Sequence, residues 1–482
     1  MELWELDAVE VADSVRAGRI RATDALDTTL DRIDRLNAPL NAFVHVDADR
    51  ARRVAAEIDR RVAAGDDPGP LAGVPLGVKE LEAVEGWPDT RASTVFRDRI
   101  ATATSTMTTR LLGAGAVPVG LTAAPELGLL FFTNSVLHGP TRNPWDLERT
   151  PGGSSGGAGA ALAAGLVPLA TGSDMGGSIR LPSGWCGVVG VKGTFGRVPR
   201  GPGYLGGANL VHYGPLSRSV RDAARYLDCA VGVDQRDPSS LPPPPVPFER
   251  AIDEIDLTGM RVAVVDDTGT CPTDPQVREA LHATAAALVD GARMLRVDGV
   301  ELPVPPIDEI GGALLYVDLD PGLGDGLGEI MANMMRTEGA APLFEIAFDP
   351  AVLSLDGVAR ANQFRYQLNA TLAGVFDQVD LLLVPTSPVP AFGATGPVPT
   401  VVDGKDVGPT AAAVYTGVFN MSGNPCVSVP AGFADGCPVG MQIVARRHED
   451  ALALAAAAAV ERITPWPKTA PYAAGGGRAT AG

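Results

Sequence analysis

Lysine is scarce in this sequence: of 39 basic residues only four are lysines, Lys79, Lys192, Lys405 and Lys468. Acid outweighs base, leaving a formal net charge of −18. Wrapping nucleic acid requires clustered Lys and Arg to neutralise phosphate, so this balance argues against a nucleic-acid partner. The acid surplus reads instead as a device for solubility. Histidine is equally rare, with five copies: His45, His138, His212, His282 and His448. There is no H-E-x-x-H and no histidine pair at ligand spacing, so neither a metal site nor a cofactor is expected. The five cysteines, Cys186, Cys229, Cys271, Cys426 and Cys437, form no C-x-x-C pair, and their odd number suits a reducing compartment. No uninterrupted run of ~18 apolar residues is available to span a bilayer. The opening "MELWELDAVEVADSV" is acidic and amphipathic, unlike a signal peptide. The reading is a cytoplasmic protein without membrane contact.

What is present is an ordinary globular composition, 45% apolar and 20% charged over 482 residues. Its 57 glycines and 41 prolines are spread between apolar segments and predict a turn-rich fold rather than disorder. Residues 3–65 read as two or three amphipathic helices, with Ala25, Leu26, Leu30, Ile33 and Leu36 on one helical face. "LAGVPLGVKELEAV" (71–84) reads as a buried strand entering a turn, and strand and helix patterns alternate from there. "DQRDPSSLPPPPVPFER" (234–250) is a stiff surface crossing. The expected fold class is α/β: a large, mixed, mostly central β-sheet covered by helices on both faces. One domain (1–482) is expected, with N-terminal helices (1–65), a catalytic core (66–230), a variable pocket region (231–375), and C-terminal core strands and helix (376–465). In the pocket region, Met331, Met334, Met335, Leu343 and Phe344 are read first as packing and second as lining for a substrate entrance.

The chemistry concentrates in one stretch. "GGSSGG" (152–157) opens an Ala-rich helix that ends at Gly165, and "LVPLATG" returns as a strand to "SDMGGSIRLP" (173–182). A helix out and a strand back can bring Ser154 and Ser178 to one side of a sheet. A phosphate loop is ruled out by the missing Gly-Lys-Ser/Thr ending. Gly152-x-Ser154-x-Gly156 matches a nucleophile elbow, but "NPWDLERTP" ahead of it makes a poor strand. Serines capping a helix remain the ordinary structural alternative. The last reading pairs the serines, with Ser154 relaying a proton from Ser178 to a neutral lysine. Lys79 ends the "GVPLGV" strand, where burial would depress its pKa, although a lone lysine at a strand end is more often a surface residue.

The whole pattern resembles the amidase signature family. The likeness rests on "GGSSGGAGAALAAGLVPLATGSDMGGSIRLPSG" and is supported upstream by "GVPLGVK" and "GPTRNPWDLERTPGGSSGG". Downstream support comes from "CGVVGVKGTFGRVP", "GPLSRSVRDAA", "FNMSGNPCVSVPAGF" and "PVGMQIVARRHED", so the likeness extends over roughly residues 5–465 in order. It implies the amidase signature fold, with Ser178 as acylated nucleophile, Ser154 as bridging serine and Lys79 as base. It also implies a cis peptide between Gly153 and Ser154, and an oxyanion hole from the backbone of Met175, Gly176, Gly177 and Ser178. Ser155 is expected to hold the network, and Asp174 and Arg180 to brace the loop as an ion pair.

The implied activity is hydrolysis of carboxamides, of apolar or aryl type, through an acyl-enzyme. The partner is therefore a small-molecule amide, and the sequence leaves a homodimer open. The same site would serve esters or carbamates, or the glutaminase subunit of a tRNA-dependent amidotransferase. Three departures bear on the pocket. Glu80 stands where the family commonly has Asp, "VGLTAAPELG" (119–128) replaces a Gly-Lys-Thr-Asn start, and Trp185 is expected to narrow or cap the site. Cys186 beside it is read as a small buried apolar residue.

Overall fold

Short acidic side chains start the N-terminal helices. The Asp7 N–H is bonded by Glu10 at 2.8 Å ahead of α1 (Ala8–Arg16), and Asp47 caps α3 (Ala48–Ala64) by accepting from Arg50 N at 3.0 Å. Between them lie α2 (Ala22–Leu40) and β1 (Phe43–Val46), a short strand that helical periodicity over residues 3–65 concealed. The computed structural model describes residues 2–202, 210–303, 326–347 and 354–474.

The chain then builds β2 (Pro75–Lys79), α4 (Thr106–Gly113), β3 (Val117–Thr122), α5 (Gly156–Ala163), β4 (Leu169–Asp174) and α6 (Arg180–Cys186). There follow β5 (Val189–Lys192), β6 (His212–Ser217), α7 (Val220–Ala230), α8 (Phe248–Glu254), β7 (Arg261–Val264), α9 (Pro275–Gly291) and β8 (Leu295–Arg296). Beyond these come α10 (Leu327–Arg336), α11 (Ala341–Ala347), α12 (Leu355–Gln378), β9 (Leu381–Pro385) and a two-stranded ribbon, β10 (Val401–Val402) with β11 (Lys405–Asp406). The last elements are α13 (Val414–Ser422), β12 (Cys426–Ala434), β13 (Cys437–Ala445) and α14 (Asp450–Ile463).

Eleven strands form one sheet in the order β1-β3-β2-β4-β6-β5-β12-β13-β9-β7-β8. The sheet is mixed: β2 runs parallel to β3 and β4, whereas β4–β6, β5–β6, β12–β5 and β12–β13 are antiparallel. The α/β architecture read from the sequence is the one observed. Among the described residues, no helix is long and apolar enough to cross a membrane.

Helix α5 lies against the β2, β3 and β4 end of the sheet, and every one of its eight residues is buried. Its glycines and alanines permit that approach. A Cβ on Gly157 would stand 2.2 Å from the Ala123 nitrogen, so no larger residue fits. The closeness fixes where α5 begins, and therefore where the two serines before it sit. In the expected pocket region, residues 304–325 and 348–353 lie outside the described residues. Of the apolar residues named there, Met334, Leu343 and Phe344 are buried together with Leu130 and Phe132, while Met335 is exposed.

Candidate active site

Because β2 and β4 are parallel, with Leu76 opposite Leu169 and Gly77 opposite Ala170, both strands end at the same edge. Lys79 is the last residue of β2, and its N–H donates to Thr171 Oγ1 of β4 at 2.9 Å. The side chain is 0% exposed and its Nζ reaches Ser154 Oγ at 2.9 Å, Ser173 Oγ at 3.0 Å and the Ser173 carbonyl at 3.1 Å. Burial pushes the amine down to about 7, against the pull of the Glu82 and Asp174 carboxylates. A lysine at that value is largely uncharged slightly above neutrality, so it can accept a proton from a neighbouring hydroxyl.

Ser154 is delivered by the turn ahead of α5. Thr133 Oγ1 donates to the Gly152 carbonyl at 2.8 Å, and the Gly153–Ser154 peptide is cis. Ser155 joins the two serine segments: its N–H donates to the Ser178 carbonyl at 3.0 Å, and its hydroxyl to the Ser173 carbonyl at 3.4 Å. Lys79 and Ser154 are thus in direct contact, and Ser178 is tied to the same turn through its backbone. Among the described residues no hydrogen bond joins the two hydroxyls, Ser154 Oγ and Ser178 Oγ.

The turn from β4 to α6 is organised around Asp174. This carboxylate accepts from Gly177 N at 2.7 Å and Ile179 N at 3.1 Å, and from Arg180 Nε at 2.9 Å and its terminal nitrogen at 2.8 Å. Both members of the ion pair are completely buried. Burial alone would raise the Asp174 carboxyl, but the Arg180 guanidinium and Asn420 hold it well below the usual carboxylate range. Arg180 also donates to Gln442 Oε1 at 2.8 Å and to Asn420 Oδ1 at 2.5 Å, while Asn420 Nδ2 donates to the Asp174 carbonyl at 2.8 Å. Every strong donor and acceptor of the pair is therefore matched, which is the condition for tolerating buried charge.

This bracing modifies the expectation for the four backbone donors. The Gly177 N–H is already committed to Asp174, whereas those of Met175, Gly176 and Ser178 meet no protein acceptor among the described residues. Thr416, on α13, fixes the turn from the other side by donating to the Gly176 carbonyl at 2.6 Å.

The 126–131 turn forms the neighbouring wall. A Cβ on Gly128 would stand 3.2 Å from Ser154 Oγ, and the Phe131 ring edge lies 3.9 Å from where a Gly176 Cβ would be. Half-buried Leu127, Leu129 and Phe131 carry this wall into the apolar cluster that includes Leu130, Phe132 and Phe344. Trp185 does not cap the site as expected. It is fully buried, donates Nε1–H to the Val389 carbonyl at 3.1 Å, and meets Phe392 edge-on at 5.4 Å, so it is part of the packing behind the wall. Glu80 is buried and binds Thr90 Oγ1, Ala92 N at 3.3 Å and His138 Nε2 at 2.7 Å, tying two loops to the end of β2. Cys186 is buried, with burial raising its thiol well above the ordinary value.

The other lysines stand elsewhere. Lys192 is also buried, but its Nζ serves the Asn424 carbonyl, Lys405 is exposed, and Lys468 pairs with Asp7. Reading the sequence alone missed Thr416, Asn420, Gln442 and Ser173. The first two were detectable as polar residues four apart on one face of an otherwise apolar helix, and Gln442 as a lone polar residue in an apolar strand.

A family model described as Amidase matches residues 24–454. An acylamidase of Rhodococcus erythropolis is 37% identical over 466 residues, covering 96% of each chain. A glutamyl-tRNA(Gln) amidotransferase chain of Salinispora tropica is 35% identical over 489 residues, covering 96% of this chain and 98% of its own. Among solved structures, a bacterial aryl acylamidase of the amidase signature family superposes with a TM-score of 0.85 at 31% identity, covering 96% of both chains. With near-complete coverage of sequence and fold, the chain belongs to the amidase signature family and is an amide-hydrolysing enzyme.

Proposed function

We propose that this enzyme hydrolyses small-molecule carboxamides with an apolar or aryl acyl part, through an acyl-enzyme on Ser178 formed with Lys79 as base. The carrying observation is the contact of a fully buried lysine Nζ with Ser154 Oγ at 2.9 Å. In the forward step Ser178 Oγ attacks the substrate carbonyl carbon. Its proton passes to Ser154 Oγ, and the Ser154 proton passes to Lys79 Nζ. The oxyanion is received by the uncommitted N–H groups of Met175, Gly176 and Ser178. When the C–N bond breaks, the proton returns by the same path to the departing nitrogen, and the amine leaves. Water then attacks the ester carbonyl, gives its proton to the relay, and releases the acid and Ser178.

The preference for an apolar acyl part is supported by Phe131, whose ring edge lies 3.9 Å from where a Gly176 Cβ would be, on a turn whose Leu127 and Leu129 pack half-buried against the apolar cluster. The acylamidase and aryl acylamidase relatives support the same class. The five free cysteines suit a reducing cytoplasm.

The test is a hydrolysis panel of aryl and alkyl amides, matched esters and carbamates, and glutamine, run alongside labelling by a fluorophosphonate. Apolar amides should be turned over, and Ser178→Ala should abolish both turnover and labelling. Glutamine as the sole good substrate would overturn the substrate class. Unchanged amide hydrolysis in Ser178→Ala would overturn the nucleophile.

A further inference from the structure

Glu82 follows Lys79 by three residues, and its N–H donates to the Lys79 carbonyl at 2.9 Å, closing the turn that leaves β2. Its side chain is 3% exposed, and neither carboxyl oxygen completes a well-formed hydrogen bond, although the nearby Thr171 hydroxyl favours its charged form. A carboxylate in this position has lost its water and received little in return, a costly arrangement unless a cation balances it. The titratable and charged groups acting on it are Lys79 from β2, Arg91 from the following loop, and Tyr226 of α7, which has Cys229 behind it. Asp174, at the end of β4, acts on Lys79 in turn. The Tyr226 hydroxyl turns to Met107 Sδ at 2.8 Å, and Arg91 is engaged with Asp89 at 2.7 Å. That leaves Lys79 as the cation whose charge can rise and fall with that of Glu82.

We propose that Glu82 is a positioning residue for the reaction, a buried counter-charge that governs how readily the Lys79 amine gives up its proton. The inference rests on the reading of Lys79 as base. When Glu82 is ionised it favours the ammonium form of Lys79; when Glu82 holds its proton, the free amine is favoured. Burial drives both toward neutrality, the amine down and the carboxyl up, while the charge of each favours the charge of the other. A single buried lysine would be depressed without restraint. The Glu82 carboxylate, ahead of Asp174, checks that fall and leaves a base that is both available near neutrality and able to hold the proton it receives from Ser154.

The experiment is the pH dependence of kcat/KM for an apolar aryl amide, measured for the wild type, Glu82→Gln and Glu82→Asp. Without the counter-charge, Lys79 loses its proton more easily. The acid limb of Glu82→Gln should therefore move to lower pH by on the order of one unit, tenfold in rate at a fixed pH on the limb. Glu82→Asp should return the limb toward the wild-type position. Where the buried amide is poorly accommodated, Glu82→Met, apolar and of similar length, repeats the test with the same expected shift. A limb that stays in place while kcat/KM falls equally at every pH would mean that Glu82 only packs, and would overturn the inference. A wild-type profile with no acid limb, with chemistry rate-limiting, would instead sink the lysine base itself.

Discussion

Thr416 Oγ1 donates to the carbonyl of Gly176 at 2.6 Å, fastening the first turn of α13 to the turn that carries Ser178. A carbonyl anchored from outside fixes its peptide plane, whose own N–H, that of Gly177, is held by Asp174, and so steadies the backbone that carries the uncommitted N–H groups of Gly176 and Ser178. Preorganised donors of this kind each supply a large part of the stabilisation of a developing oxyanion. Thr416→Val keeps the shape and removes the anchor. It should lower kcat by roughly ten- to a hundredfold, below the loss for deleting a donor outright, with KM little altered. Steady-state kinetics on one apolar amide separates the two parameters, and an unchanged kcat would remove Thr416 from the machinery.

Gly177 tests the same contact from the opposite side. Its φ of +128° lies where L-residues are strained, and an added Cβ would sit 2.5 Å from Thr416 Oγ1. Gly177→Ala should therefore displace the turn and cost activity. Pairing it with Thr416→Ala removes the closest clash, that of the hydroxyl, but leaves the residue-416 Cβ at 2.9 Å, Leu181 Cγ at 3.0 Å and the backbone strain. The double variant should then lose less than the two single losses combined, a non-additivity that a double-mutant cycle measures directly.

The Asp174–Arg180 pair makes a prediction about stability. Asp174→Asn leaves the Arg180 guanidinium buried without its carboxylate, and breaking such a pair by removing one partner costs about 3–5 kcal/mol. Urea denaturation at pH 7 should show a loss of that size. The sign with pH follows from the depressed carboxyl. The contribution of Asp174 is complete above its unfolded value of 3.8, and is lost as pH falls from there toward the lower folded value. The gap between wild type and variant should therefore narrow in acid, and a gap that widened would contradict the assignment.

Local chemistry explains which features could be read in advance. Glycine punctuation and a strand ending in a rare lysine marked Lys79, Ser154 and Ser178 as candidates, but only the resemblance to the amidase signature family joined them into one site. Asp174 and Arg180 sit six residues apart around a tight turn, so their pairing is also local. The partners that complete the site are not. Asn420 meets Arg180 across 240 residues, and Gln442 meets it across 262, distances that only the sheet order closes. The strand Phe43–Val46 was hidden for another reason: four residues pairing with β3 are too short to interrupt the helical pattern around them. Trp185 lies elsewhere than expected because a bulky residue close to Ser178 in sequence says nothing of which side of the helix it occupies. Its burial against Phe392 is a property of α6 packing.

The two buried lysines offer the most direct separation of catalysis from structure. Lys79 is lowered to about 7 and Lys192 to about 8, in both cases chiefly by burial, yet only Lys79 touches a serine of the site. A lowered lysine is protonated below its folded value, so the base fraction grows as pH rises. The wild-type kcat/KM should climb through about pH 7 and then level off. Lys79→Met should remove that limb together with nearly all amide turnover. Lys192→Met leaves the Asn424 carbonyl without its donor, so it should reduce the midpoint in urea. In whatever fraction stays folded, the acid limb should remain where the wild type has it. Moving the limb by altering Lys192 would mean that the proton is held there, on a strand end away from Ser154, and the relay through Ser154 would have to be given up.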